Sequence, residues 1–162
     1  ETFGAPPWID RLSTLGKGTV VKEAQDETAV LDALGMCVFP PHQGGMDMAE
    51  TAELASYAIG KTFDPEELMM TGARIFKLDR LCNIREGFTR MDDTLPPRLL
   101  EEPMPDGSAK GQVVELDTLL DDYYGVRGWD SEGIPTKEVL DRLGLTEEGT
   151  SMLPHGEGEC CV

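Results

Sequence analysis

The chain has 162 residues, 40% of them hydrophobic, and its 31 acidic and 14 basic side chains give a formal charge of −17. That length is typical of one domain with room for a hydrophobic core. The acidic balance argues against binding to nucleic acid or to an anionic membrane, because both require a basic face.

No apolar run approaches the length of a membrane span, and the first residues lack the basic and apolar regions of a signal peptide. The four cysteines are Cys37, Cys82, Cys160 and Cys161, and they form neither a Cys-x-x-Cys motif nor a disulfide framework. We therefore expect a cytoplasmic, reducing location.

Three regions are predicted along the chain. Residues 1–18 are rich in Pro and Gly and read as an extended lead-in, which we expect to follow a missing upstream part because the chain starts without Met. Residues 19–145 carry the helical patterns and form the predicted domain. Residues 146–162 are polar and Gly-rich, and we expect them to form a mobile tail that contains Cys160 and Cys161.

Apolar residues at helical spacing predict five helices, over about 21–34, 46–59, 64–85, 117–124 and 136–143. Asp64 and Thr136 are suited to cap the third and fifth helices, and Pro65 fits the first position of the third. Glycines that follow the helical patterns are suited to end them: Gly35, Gly60, Gly87 and Gly144.

Two stretches are predicted to be irregular. Residues 40–45 contain two prolines and should form a loop that cannot continue the first helix. Residues 88–114 contain four prolines, and Val113-Val114 is at most a short strand. Because long unstructured segments are uncommon inside compact domains, the second stretch is expected to be an interface or a functional loop. The predicted fold class is all-α, a multihelical domain with long irregular loops.

The stretch most informative about function is Asp32-Ala33-Leu34-Gly35-Met36-Cys37, at the end of the first predicted helix. Asp32 faces the negative end of the helix dipole, which costs on the order of 0.3–1 kcal/mol unless the carboxylate has a donor-rich partner. Cys37 follows the turn, where a side chain can point into a cleft. There are two interpretations of this pair. In the first, Asp32 as a hydrogen-bond acceptor and Cys37 as a soft metal ligand leave the same turn together. In the second, Asp32 is solvated and Cys37 is a small buried hydrophobe.

Residues 25–37 resemble the last pterin-binding segment of the aldehyde ferredoxin oxidoreductases, whose motif is Asp-x-x-Gly-x-Cys or Asp-x-x-Gly-x-Asp. These are tungsten enzymes with a bis-pterin cofactor beside a [4Fe–4S] cluster. Further stretches resemble the same family in the same order: residues 80–98, Gly111-Gln112-Val113-Val114, Tyr123-Tyr124 and Arg127-Gly128-Trp129. The resemblance covers nearly the whole chain except its two ends.

The resemblance implies that Asp32, Ala33, Leu34, Gly35, Met36 and Cys37 contact a tungsten (or molybdenum) bis-pterin. The pterin edge presents a fork of donors from which the Asp32 carboxylate can accept at two points. Cys37 would be one of the four thiolates that a [4Fe–4S] cluster needs, and the family supplies the other three from an upstream Cys-x-x-Cys-x-x-x-Cys segment. The resemblance assigns no catalytic residue to this chain.

The implied enzyme oxidises aldehydes to carboxylic acids and passes electrons to ferredoxin. Its partners would be the upstream domains of the same enzyme, with a homodimer left open, and the isolated chain should be inactive because it lacks the other cluster ligands. Residues 85–98 are either an ion-paired structural loop, or they line the approach to the metal or the contact with the missing domains. The alternative function is a non-catalytic acidic helical interaction domain without a cofactor.

Overall fold

The computed structural model describes residues 9–153, apart from the side chains of residues 42 and 43. In this range it has eight α-helices and no strand, so the predicted all-α fold class is confirmed. The helices are α1 (Lys17–Leu34), α2 (Phe39–Gly44), α3 (Met48–Ile59), α4 (Pro65–Arg85), α5 (Pro97–Glu101), α6 (Leu116–Arg127), α7 (Lys137–Leu143) and α8 (Thr146–Met152).

The five predicted helices correspond to α1, α3, α4, α6 and α7, with boundaries that differ by a few residues. Asp64 caps α4 by accepting from the backbone N–H of Glu66, and Pro65 occupies the first turn. Thr136 lies at the N-cap of α7, although its side chain makes no capping hydrogen bond. Val113 and Val114 form no strand in the described structure. The backbone N–H of Val114 instead donates to the Leu99 carbonyl at 3.0 Å.

Three stretches without a predicted helix contain short helices: residues 40–45 contain most of α2, residues 88–114 contain α5, and residues 146–162 contain α8. The predicted loop over residues 40–45 is largely occupied by α2, which has both prolines in its first turn. There a missing N–H costs nothing and the fixed φ of proline suits the helix. The predicted tail begins with α8, where Gly149 packs so closely on Leu140 that a Cβ would lie 2.5 Å from the Leu140 Cδ1 atom. Cys160 and Cys161 lie outside the described residues.

Helix α1 is held by backbone-to-backbone contacts with two other helices. A Cβ added at Gly72 of α4 would lie 2.0 Å from the Asp26 carbonyl oxygen of α1. A Cβ added at Gly18 of α1 would lie 2.8 Å from backbone atoms of Asp122 and Tyr123 in α6. The Gly18 N–H also donates to the Asp122 carboxylate at 2.7 Å. These two glycines allow the close approaches that fix α1 between α4 and α6.

Two hydrophobic clusters support this frame. The larger joins Leu81 of α4 to residues of α7 and to Leu145. The smaller lies under the second half of α1 and contains Val30, Ala52 and Leu68, with Leu34, Met48 and Phe63 packed against it. No helix in the described part of the chain is long and apolar enough to cross a membrane.

Candidate functional site

The stretch from Asp32 to Cys37 forms the end of α1 and the turn that follows it. Gly35 adopts the left-handed conformation, with φ 66° and ψ 24°. The Gly35 N–H donates to the Asp32 carbonyl at 3.1 Å, and the Met36 N–H donates to the Leu31 carbonyl at 2.9 Å. This pair of bonds is the Schellman motif, which ends a helix in a fixed geometry. The direction in which Cys37 leaves the helix is therefore set by local hydrogen bonding.

The side chains of this turn divide into two groups. Leu34 and Met36 are half-buried, and Leu34 packs on the hydrophobic cluster of Val30, Ala52 and Leu68. Asp32, Ala33, Gly35 and Cys37 are exposed. The Leu34 side chain thus anchors the turn to the core. Leu34 could therefore meet a ligand only through its backbone. The alternative in which Cys37 is a buried hydrophobe is wrong.

Hydrogen-bond acceptors dominate the exposed surface of the turn. The carbonyls of Ala33 and Leu34 receive no backbone donor from residues 9–153, as expected for the last turn of a helix. The Asp32 carboxylate accepts no hydrogen bond from any donor in the same range, whereas the Met36 N–H is already used inside the turn. A Cβ at Gly35 would meet nothing within 4 Å, so the backbone is open to close approach.

Cys37 is an exposed free thiol in the short link between α1 and α2, and Cys82 is half-buried on α4. Over the described residues, no three His, Cys, Asp or Glu side chains converge on a point where they could hold a metal ion. The described residues thus include one exposed thiol, that of Cys37, whereas a [4Fe–4S] cluster needs four thiolates.

Asp32 borders a cleft of about 570 Å³ between α1 and α4. Its walls combine apolar side chains with Gln25, Thr28, Asp32 and Asp79. A neighbouring cavity of about 470 Å³ shares Gln25, Phe76 and Asp79 with this cleft and extends toward α6. A third cavity of about 520 Å³ shares Val21 and Gln25 with the cleft. The exposed turn is thus continuous with a long concave surface.

The cavity toward α6 contains an ion-paired group. Arg80, which is 7% exposed, lies 2.9 Å from the Asp93 carboxylate. Tyr124 donates its hydroxyl to the same carboxylate. Burial, followed by the Asp93 hydrogen bond and charge, raises the pKa of Tyr124 to about 12. Arg90 pairs with Asp121 at 2.8 Å. Residues 85–98 are therefore tied by ion pairs to α4 through Asp93 and to α6 through Arg90.

The sequence patterns gave no sign of the buried charges beside α1. Asp26 and Arg127 are each 1% exposed and form an ion pair. Lys77 is 2% exposed and donates to the Arg127 carbonyl at 2.6 Å. In the sequence Asp26 follows Lys22 by one helical turn and resembles half of a solvated ion pair, and helical spacing does not identify a partner 101 residues away.

The fold is similar to that of a chain in a solved structure, the active-site complex BamBC of benzoyl coenzyme A reductase with 1,5-dienoyl-CoA. The similarity covers 90% of this chain and 21% of that one, with a TM-score of 0.69 and 27% sequence identity. The class is therefore that of all-helical domains, one of which forms part of a longer chain in that complex.

The chain belongs to the aldehyde ferredoxin oxidoreductase family. The family model described as "Aldehyde ferredoxin oxidoreductase, domains 2 & 3" matches residues 1–145. Similar relatives include the tungsten-containing aldehyde ferredoxin oxidoreductases of Pyrococcus abyssi and Thermococcus kodakarensis, 43% and 40% identical over 76% of this chain. The WOR-like subunit of an aliphatic sulfonate oxidoreductase from Pyrococcus furiosus is 33% identical over 74% of this chain. The chain spans about a fifth of each of these relatives.

Proposed function

We propose that this chain is the part of a tungsten- or molybdenum-pterin oxidoreductase that supplies one pterin-binding segment and one cysteine ligand of a [4Fe–4S] cluster. The observation that carries the proposal is the exposed Schellman turn, which presents the Asp32 carboxylate and the Cys37 thiol on one rigid support. The reaction proposed for the whole enzyme is oxidation of an aldehyde to its carboxylic acid, with ferredoxin as the electron acceptor.

The chemistry of the turn fits a pterin. The Asp32 carboxylate is on an exposed residue, and the carbonyls of Ala33 and Leu34 receive no backbone donor from residues 9–153, so the turn is rich in unused acceptors. The edge of a pterin is rich in donors, and a carboxylate bonded to a donor fork is a strong, orienting contact. A negative helix end and an acidic side chain repel each other, so a donor-rich ligand would relieve an unfavourable arrangement.

Each residue of the turn has a distinct part in this proposal. Asp32 would orient the pterin by hydrogen bonding, and Gly35 would let the ring approach the backbone. Leu34 would hold the turn on the core, and the Cys37 thiolate would bind iron. When bound, the pterin-held metal supplies the oxidation–reduction chemistry, whereas the chain's contribution is binding and orientation.

Aldehyde is the substrate class that the relatives favour, because those named for aldehyde oxidation are 40–43% identical and the sulfonate relative is 33% identical. Any ferredoxin would meet little positive charge on this chain, whose formal charge is −17. Ferredoxins are commonly acidic, so we expect them to dock on another part of the enzyme.

The proposal is tested by Cys37→Ser in the intact enzyme, with Cys82→Ser as the matched control. Iron and acid-labile sulfide should fall in Cys37→Ser, because a hydroxyl binds iron less well than a thiolate. The electron paramagnetic resonance signal of the reduced cluster should change with them, while Cys82→Ser keeps both. Unchanged iron and an unchanged cluster signal in Cys37→Ser would contradict the cluster role of Cys37, whereas absence of iron and pterin from the wild-type protein would favour the non-catalytic interaction domain.

A further inference from the structure

A basic cavity lies beside the α1–α4 contact, and it shares no lining residue with the cleft that borders Asp32. Its volume is about 230 Å³. A water molecule occupies about 30 Å³, so there is room for a small ion with several waters. Five charged side chains line it, together with apolar residues such as Met69 and Leu143: Lys22, Asp26, Lys77, Arg127 and Arg142.

Positive charge is in excess in this cavity. Its one carboxylate, Asp26, is already engaged by Arg127 at 2.5 Å and by Lys22 at 2.8 Å. Four cationic side chains against one carboxylate leave three positive charges, or two when Lys77 is neutral. A cavity lined by charges of one sign raises the local concentration of the opposite ion, so this excess favours an anion even in a chain with a formal charge of −17.

Lys77 offers unused donors at the inner end of the cavity. Its side chain is 2% exposed, and its Nζ atom donates to the Arg127 carbonyl at 2.6 Å. The ammonium also lies 5.0 Å from the centre of the Trp129 ring. An ammonium carries three donors, and residues 9–153 supply an acceptor for only one of them. A buried donor without a partner is costly, so an acceptor in the cavity would be stabilising.

The two arginines that line the cavity differ in the hydrogen-bond donors they have left. The guanidinium of Arg127 uses four of its five donors on Asp26, Gln25, Tyr123 and the Lys22 carbonyl, so it contributes mainly charge. Arg142 is exposed on α7 and makes no ion pair with any described residue. Met70, which is 50% exposed, borders the same opening. The cavity therefore has an inner donor in Lys77 and an outer donor in Arg142.

We propose that this cavity binds a small oxyanion of the phosphate or sulfate type between the Lys77 ammonium and the Arg142 guanidinium, with Lys22 at its edge. Such an anion has acceptors on every side and can bridge an inner and an outer donor. The opening beside Met70 and Arg142 admits either the free anion or the phosphate group of a larger molecule.

Binding should be coupled to a proton. Burial first, and then the charge of Arg127, lowers the pKa of Lys77 to about 7, while Asp26 opposes the shift and Arg142 and Lys22 add to it. A bound anion favours the charged ammonium and raises this pKa. The intact protein should therefore take up a proton when it binds the anion slightly above neutral pH.

Titration calorimetry with sulfate tests the proposal, because sulfate stays a dianion throughout the relevant pH range. At about pH 6 we expect saturable binding that chloride at equal ionic strength does not give. At about pH 9 the affinity should be about tenfold lower, the effect of losing one hydrogen bond to a charged donor. At about pH 8 the heat should vary with the ionisation enthalpy of the buffer, as proton uptake requires.

Arg142→Gln should weaken sulfate binding, whereas the matched control Arg74→Gln should not, because Arg74 is exposed on α4 and does not line the cavity. Lys77→Met should remove the dependence on pH. Inorganic phosphate and a phosphate monoester, titrated in parallel, distinguish a free anion from a phosphate group of a larger ligand. No saturable heat at about pH 6, or equal affinities for Arg142→Gln and wild type, would overturn the proposal.

Discussion

Arg127 and Asp26, separated by 101 residues, form an ion pair in which Nη1 lies 2.5 Å from Oδ1 and both side chains are 1% exposed. The pair joins the last residue of α6 to the middle of α1. Arg127 also stacks on Phe76 of α4, with its guanidinium carbon 4.2 Å from the ring centre. One arginine thus links the three helices that determine the position of the Asp32 turn.

Asp26→Asn should lower the free energy of unfolding by about 3–5 kcal/mol. The substitution keeps the shape of the side chain but leaves Arg127 buried without its counter-charge. Urea unfolding measures the change. Glu102→Gln is the control, because it breaks the exposed Arg98–Glu102 pair and should leave stability unchanged. Equal effects of the two substitutions would show that the buried pair does not hold the helices together.

Gly72→Ala should destabilise the fold by about 3 kcal/mol or more, since the added methyl group would collide with the backbone of α1. Gly125→Ala is a matched control in α6, where an added Cβ meets nothing within 4 Å. That control should instead stabilise the helix by about 0.5–1 kcal/mol, the usual advantage of Ala over Gly. Thermal melts followed by circular dichroism compare the two, and an unchanged or raised melting temperature in Gly72→Ala would argue against the close contact.

Stability should rise with pH above neutrality because of Lys77. Its pKa is about 7 in the folded chain against 10.5 as the reference value, so between these limits the unfolded state binds more protons. The free energy of unfolding should therefore increase from about pH 7 to about pH 9.5, and Lys77→Met should flatten this rise. Above about pH 10 the trend should reverse, because Tyr124 keeps its proton longer in the folded state. If the free energy of unfolding of Lys77→Met rose with pH as steeply as that of the wild type, another group would be responsible for the rise.

Asp32→Asn should separate binding from stability. In the chain without cofactor it should stabilise α1 by roughly 0.3–1 kcal/mol, because it removes a negative charge from a helix C-terminus. In the intact enzyme it should lower the pterin and tungsten content, because the amide presents a donor to a donor-rich edge. Thermal melts and metal analysis measure the two effects. Destabilisation with unchanged metal content would make Asp32 a structural residue.

The local features of the candidate site could be predicted from sequence. An acidic residue in the last turn of a helix, a glycine able to adopt positive φ and a following cysteine occupy consecutive positions, so neighbouring backbone bonds alone determine their arrangement. The structure bears this out in the Gly35 turn. The all-α class is equally local, because helical spacing of apolar residues reports secondary structure directly. Short helices such as α2 and α8 were missed because their patterns are too brief.

The contacts that hold α1 in place required the tertiary structure. In the sequence, Gly72 resembles any other helical residue, and only the structure shows the Asp26 carbonyl packed against it. Likewise, Asp26 resembles a solvated carboxylate, and only the structure shows its buried ion pair with Arg127 of α6. The basic cavity likewise assembles Lys22, Lys77 and Arg142 from three helices. The sequence by itself determined the five longer helical segments and the chemistry of the turn, because both depend on neighbouring residues. Only the tertiary structure decided which glycines touch another backbone and which charges are buried, because both depend on residues far apart in the chain.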